Sequence, residues 1–238
     1  MTSVPNILVF GGRGAIGSAI RRRYAALAWD VTASSRRDVP PAETDGSRWI
    51  VCDPAAGLAS PAQLDVGAPY AAVCWAQGVN TADSVFDVDS TTHLELYRAN
   101  CVFVLDTLRI LLDRNLLSAT ARLVVISSVW QKIARPDKLS YIMSKAAIGG
   151  LVQSASVDLA KRGILINAVL PSALDTAMTR DNLSTLQIKR LAESTNFGRL
   201  CSVDDVVATV EFLCSDRNTG ITGQSVPVDL GFSHARLV

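Results

Sequence analysis

The chain has 238 residues, of which 49% are hydrophobic and 19% charged, and its formal net charge is +1. That length suits one α/β domain with a continuous core. The near-neutral charge, with no polybasic block or acidic tail, offers nothing to nucleic acid or an anionic membrane, and no apolar run reaches the roughly 18 residues that span a bilayer, so a small-molecule partner is expected.

Read in chain order, the hydrophobic pattern predicts a strand at Ile7–Phe10, a helix from about Ala15, and strands at Val31–Ser34, Trp49–Cys52 and Ala71–Trp75. A long helical pattern follows from His93 to Leu117, then a strand at Leu123–Ser127, a helix from Tyr141 to about Arg162 and a strand at Leu165–Leu170. A polar excursion over residues 172–197 precedes a last helix, Val203–Ser215, and a last strand, Ser225–Val228. Such an excursion reads as a lid, taken here as residues 174–197. The Pro- and Ala-rich stretches Val39–Gly46 and Pro54–Gln63 read as surface loops inside one domain. Strands alternating with helices imply right-handed βαβ units and a parallel sheet.

The start MTSVPNILVFGG lacks a basic n-region, so no signal peptide is expected and the expected location is cytoplasmic. Five cysteines (Cys52, Cys74, Cys101, Cys201, Cys214) form no CxxC pair, which argues for buried thiols rather than disulfides or zinc. The two histidines, His93 and His234, do not sit at metal-ligand spacing, and no metal is expected.

The stretch NILVFGGRGAIGSAI runs a strand through four glycines into a helix, the arrangement whose free N–H groups and helix dipole hold a pyrophosphate. Its glycines fit GxGxxG from Gly12, GxxGxxG from Gly11, and GGxxxAxG from Gly11 with Ala15. At the end of the second strand, a carboxylate would favour NAD(H). Ser34, Ser35, Arg36 and Arg37 stand there instead, and a guanidinium pairs with a 2′-phosphate in bidentate fashion, so NADP(H) is favoured over NAD(H). Arg13, inside the turn, adds positive charge to the same region.

Tyr141 and Lys145 lie one turn apart on a helix face, and Ser128 ends an apolar strand thirteen residues before Tyr141. A phenol of ordinary pKa about 10 needs nearby positive charge to exchange protons near neutrality. With Asn100 in the preceding helical stretch, this set resembles the single-domain short-chain dehydrogenase/reductases. The resemblance runs from ILVFGGRGAIG through ISSVW and YIMSKAAIGGLVQSASVDLAKRGILINAVLPS to GITGQSVPVDLG, and it selects the GGxxxAxG reading.

The resemblance implies a Rossmann-type, doubly wound parallel sheet in a single domain and reversible hydride transfer between NADP(H) and a carbonyl or alcohol. Gly11, Arg13, Ala15, Ile16 and Gly17 would wrap the pyrophosphate and adenosine ribose, Arg36 beside Ser35 the 2′-phosphate, and Asp53 the adenine. Ala76, Gln77 and Gly78 would border the cofactor. Tyr141 would be the proton donor in reduction, and Ser128 would orient the carbonyl. Lys145 would bind the nicotinamide ribose and lower the Tyr141 pKa, while Asn100 would hold a relay water. Pro171, Ser172, Leu174 and Thr176 would position the nicotinamide. Four departures from the family pattern are Phe10 before the glycines, WAQG at Trp75–Gly78, Ser172 after Pro171, and Leu230 inside DLG.

Trp130, Ile133, Leu174 and Met178 would give the substrate apolar walls, with Gln131 the nearest polar group, which suits a mid-sized ketone or alcohol. Lys132, Arg135 and Arg180 leave open an acidic or carrier-bound substrate such as a 3-oxoacyl thioester. A reading of another class is a regulatory or scaffold protein that binds NADP(H) without turnover. A homodimer or homotetramer is expected through the two long helices.

Overall fold

The apolar run before the glycines becomes the middle of a sheet. The computed structural model describes residues 4–38, 46–58, 60–176, 179–180, 184–195 and 197–234. Its strands are β1 (Asn6–Phe10), β2 (Asp30–Ser35), β3 (Arg48–Val51), β4 (Tyr70–Trp75), β5 (Leu117–Ile126), β6 (Leu165–Pro171) and β7 (Ser225–Val228). They pair in parallel in the order β3-β2-β1-β4-β5-β6-β7. The chain steps outward from β1 to β3 and then returns to lay β4 on the other side of β1. This reversal opens a crevice at the carboxyl ends of β1 and β4, where open α/β sheets bind ligands.

The helices are α1 (Ala15–Ala26), α2 (Ser90–Tyr97), α3 (Phe103–Asp113), α4 (Leu139–Leu159), α5 (Thr185–Glu193) and α6 (Val203–Leu213). Alternate residues of β1 serve opposite faces. Ile7 and Val9 pack with Ile20 and Tyr24 of α1 and Val206 and Val210 of α6. Leu8 and Phe10 pack with Phe103 and Val104 of α3 and Ile148 and Val152 of α4. Burial on both sides explains why the strand reads as a continuous apolar run. Each fully buried aliphatic or aromatic side chain there contributes roughly 1.5–3 kcal/mol.

Four features differ from the sequence expectation. The helical pattern predicted to Leu117 stops at Asp113, because Asn115 takes a left-handed φ of 55° and the Leu116 N–H returns to Leu111 O. Leu117 then pairs with Tyr70, so β5 begins six residues before the predicted Leu123 and ends at Ile126. Inside the long helix, Arg98–Val102 forms a π-turn between α2 and α3. Part of the segment read as a loop, Pro61–Asp65, is a 3₁₀ helix capped by Ser60 Oγ.

Trp75 of WAQG is fully buried, stacked on Phe10 with ring centroids 5.8 Å apart, and its Nε1 donates to Thr107 Oγ1 at 2.8 Å. The two departures Phe10 and Trp75 therefore fill one volume. In the excursion after β6, α5 is capped by a Ser184–Gln187 capping box and has no fully buried residue. Among the described residues no helix is long and apolar enough to cross a membrane.

Candidate active site

β1 ends at Phe10 and the chain must turn at once into α1. Gly11 takes φ +76°, and a Cβ there would lie 2.8 Å from the Gln77 backbone. A Cβ on Gly17 would lie 2.2 Å from Gly11 O, so neither position accepts a side chain without moving the turn. Ser34, at the end of β2, holds the turn in place: its Oγ accepts the Gly11 N–H at 2.9 Å, and its carbonyl accepts the Gly12 N–H at 2.9 Å. The N-cap of α1 is Gly14, which has no side chain to occupy the first N–H groups. Ala15 and Arg13 are exposed beside it, and Ile16 is half-buried. These uncapped amides at the positive end of the helix form a cradle for a phosphate.

A cleft of about 1030 Å³ extends from this cradle, at the upper end of the range for small-molecule and cofactor sites. One side is lined by Ser35, Arg36, Arg37 and Asp53, and the other by Ala76, Gln77 and Gly78. Arg36 and Arg37 are exposed, while Ser35 is buried and its Oγ accepts the Arg37 N–H at 3.3 Å. Asp53 Oδ1 accepts the Ala55 N–H at 3.0 Å. An uncapped helix start and glycines that admit no Cβ fit the pyrophosphate of a dinucleotide, and two exposed guanidinium groups line the same cleft.

The other expected groups gather at the end of β4 and β5. Asn100 lies in the π-turn, the kind of helix irregularity that recurs at functional sites. Its Oδ1 accepts the Val79 N–H at 2.8 Å, and its Nδ2 donates to Val79 O at 2.9 Å and to Ser144 Oγ at 3.0 Å. A Cβ on Gly78 would lie 3.5 Å from Asn100 Oδ1 and 3.6 Å from Lys145 Nζ, which places the WAQG glycine over both groups. Lys145 is buried at 3% exposure, and its Nζ donates to Ile126 O at 3.1 Å. That nitrogen sits 5.7 Å from the centre of the Tyr141 ring.

Burial lowers the Lys145 ammonium to about 8, with the Cys101 thiol opposing. Burial also raises the Tyr141 phenol, while a hydrogen bond with Ser128 pulls it down. The net rise runs against the lowering expected from Lys145: in the protein alone, desolvation outweighs the Ser128 hydrogen bond, which is what lowers the phenol here. Ser128 caps the short turn Val129–Gln131, and its Oγ lies 3.5 Å from Pro171 O.

On the substrate side, Trp130 meets Phe232 edge-on at 6.0 Å and carries Arg135 over its ring at 5.7 Å. Ile133 is half-buried. Gln131 is tied between α4 and β7: its Nε2 donates to Ser225 Oγ at 2.8 Å and sits 2.7 Å from where a Gly149 Cβ would be. Leu174 bridges to Cys201, Ser172 N–H donates to Val228 O at 3.2 Å, and Thr176 Oγ1 lies 3.1 Å from Thr179 Oγ1. Met178 lies outside the described residues. Arg180 is paired with Asp175 at 2.8 Å. The sequence reading named Ser34 at the strand end without giving it the role of holding the turn, and it missed Ser144, whose Oγ donates to Tyr141 O at 2.8 Å. A small polar residue between the tyrosine and lysine was its only mark.

A family model described as enoyl-(acyl carrier protein) reductase matches residues 59–233, more than half of the chain. The oxidoreductase YmfI of Bacillus subtilis is 27% identical over 164 residues, 69% of this chain and 67% of that protein. The 3-oxoacyl-[acyl-carrier-protein] reductase FabG of Rickettsia felis is 36% identical over 110 residues, 46% of this chain and 45% of that protein, so the match spans less than half of it. Among solved structures, a short chain dehydrogenase family protein from Francisella tularensis superposes with a TM-score of 0.86 at 24% identity, covering 98% of this chain and 100% of the other. ElxO, solved with NADP bound, gives a TM-score of 0.85 at 20% identity over 97% of this chain and 99% of its own. At these identities the superpositions speak for the fold, and together with the family match they make the chain a member of the short-chain dehydrogenase/reductase family, a family of oxidoreductases.

Proposed function

We propose that the protein is an NADP(H)-dependent carbonyl reductase acting on a mid-sized ketone or the corresponding secondary alcohol. The observation that carries this reading is the meeting of Tyr141, Lys145, Ser128 and Asn100 behind Gly78, a glycine that lines the same cleft as Arg36 and Arg37. Gly11, Gly14 and Gly17 would admit the pyrophosphate, Arg13 and Arg36 the ribose phosphate, and Lys145 the nicotinamide ribose. When bound, NADPH supplies the two electrons and hydrogen that reduce a carbonyl carbon.

The chain's own residues handle the proton. Ser128 Oγ donates to the substrate carbonyl oxygen and fixes its place, and Tyr141 Oη gives that oxygen its proton. Lys145, near 8 and therefore able to exchange protons around neutrality, makes good the tyrosine's loss. Asn100 holds its side chain between Val79 and Ser144, leaving α2 and α3 joined at the turn that faces Lys145.

Titrating the purified protein with NADPH and NADH by fluorescence, then presenting a ketone panel with the cofactor that binds, tests the proposal. Tight NADPH binding with turnover supports it. Binding without turnover of any ketone favours the non-catalytic regulatory or scaffold reading, and binding of neither nucleotide refutes both. A second substrate reading, a 3-oxoacyl thioester, is favoured by the FabG relatives and by exposed Lys132 and Arg135 beside Trp130. Cytoplasmic location belongs to the same proposal, as does a homodimer or homotetramer through α3 and α4, supported by Leu105 and Val157 at 53% and 75% exposure.

A further inference from the structure

α4 carries Tyr141 in its first turn, where helices fray unless their leading N–H groups are satisfied. Its N-cap residue, Lys138, makes no capping bond through its side chain, and the first turn contains no acidic residue. The cap comes instead from the loop after β4. Asp83 accepts the Leu139 N–H on its carbonyl at 3.1 Å and the Ser140 N–H on Oδ1 at 3.0 Å, and its Oδ2 takes the Ser140 hydroxyl.

Asp83 is only 8% exposed and Ser140 is fully buried. The Ser140 hydroxyl has one proton, committed to Asp83, so its contact with His93 Nδ1 at 2.8 Å requires the proton on that nitrogen. His93 lies on α2, with its ring stacked near Tyr97 at 6.4 Å. Lys138, whose Nζ donates to Asn80 Oδ1 at 3.1 Å and Thr81 O at 2.8 Å, is a cation that interacts electrostatically with Asp83. On the other side of Tyr141, its carbonyl is held by Ser144, and Ser144 by Asn100.

We infer that Asp83 is a positioning residue for the proton donor, acting as a detached N-cap that fixes the Tyr141 turn and, through Ser140, ties it to His93. The inference rests on the reductase reading of Tyr141. A buried carboxylate is costly where a neutral Ser or Asn at the cap position would serve the fold. Placed at the positive end of the helix, it holds the turn more firmly than a neutral cap. The benefit falls on the residue next to Ser140.

The test uses the full chain with Asp83→Ala, Asp83→Asn and Ser140→Ala, read by kcat per NADPH-binding site, NADPH Kd, and amide exchange over residues 139–145. Loss of a fixed tyrosine should lower kcat for Asp83→Ala by about 10- to 100-fold, with NADPH Kd unchanged within about twofold and amide exchange in the α4 first turn faster by about tenfold. Asp83→Asn keeps an acceptor for the Ser140 N–H but loses the charge, and should fall between Asp83→Ala and the wild type in both kcat and protection. A lower melting temperature with kcat per site and first-turn exchange unchanged would overturn the inference, leaving Asp83 a fold-stabilising cap. Should Asp83→Ala fail to fold, Ser140→Ala, which keeps the backbone bond, must still lower kcat and speed exchange; no change in either overturns the link. If the wild-type protein reduces no ketone, the reductase reading falls, and amide exchange alone decides whether Asp83 holds the turn.

Discussion

Replacing Lys145 with Met tests whether the site stores instability. The side chain is 3% exposed and its ammonium is lowered to about 8 from 10.5. That gap corresponds to a cost of about 3 kcal/mol for holding the charge in the folded protein near pH 7. Methionine has similar length and no charge, and it gives up the bond to Ile126 O at 3.1 Å, a loss of about 1 kcal/mol. Lys145→Met should therefore be more stable by about 2 kcal/mol near pH 7, about 4–8 °C in Tm for a chain of this size. The lysine penalty is complete below its folded value near 8 and disappears as pH rises towards the unfolded 10.5, because over that window the unfolded chain binds more protons. The buried thiols act in the opposite sense: Cys52 and Cys214, pushed up to about 12, favour the fold below the ordinary thiol range and lose that contribution as pH rises. Both proteins share those thiols, so the difference between them, measured by thermal and urea unfolding near pH 7 and about pH 9.5, isolates the lysine. The advantage of the variant should shrink by about 2 kcal/mol between the two. An equal or lower Tm near neutrality, or an advantage independent of pH, would refute the burial cost.

Four further outcomes are expected. Tyr141→Phe should abolish ketone reduction while leaving the NADPH Kd within about twofold, since the ring packing is kept and only the proton is lost; retained turnover would remove Tyr141 from the chemistry. Arg36→Ala should raise KM for NADPH about tenfold or more with little effect on NADH, and equal effects in a side-by-side assay would make Arg36 a surface charge. Gly17→Ala should weaken NADPH binding at least about tenfold and cost about 1–3 kcal/mol in urea unfolding, because its Cβ would fall 2.2 Å from Gly11 O. Ala28→Gly should raise stability by about 1 kcal/mol: Ala28 has φ 58° in a Schellman turn closed by Trp29 N–H to Tyr24 O at 3.0 Å and Ala28 N–H to Ala25 O at 3.0 Å. A drop in Tm would show that the turn is not strained.

What could be read from residues alone follows from the range of the physics involved. β1 and its glycine turn were legible because the constraint is local: a buried strand needs a run of apolar residues, and a turn at φ +76° needs glycine at Gly11. The Tyr141–Lys145 spacing was legible for the same reason, helical geometry linking two residues four apart. The early start of β5 was not, because it depends on a left-handed Asn115 and on Tyr70 from another strand. Gln131 lies in the expected segment, yet its amide is tied to Ser225, 94 residues away, by a bond no local pattern encodes. The Tyr141 phenol rises where the nearby lysine had suggested a fall, since a pattern records which charges are close but not how much water remains around them. The WAQG departure shows both limits at once. Trp75 and Phe10 each look like the loss of a family residue, but they are 65 positions apart and stack on one another at the head of the sheet. Each large side chain occupies space that the other helps to define, so one substitution alone would leave a cavity or an overlap, and the pair is intelligible only once β1 and β4 lie side by side.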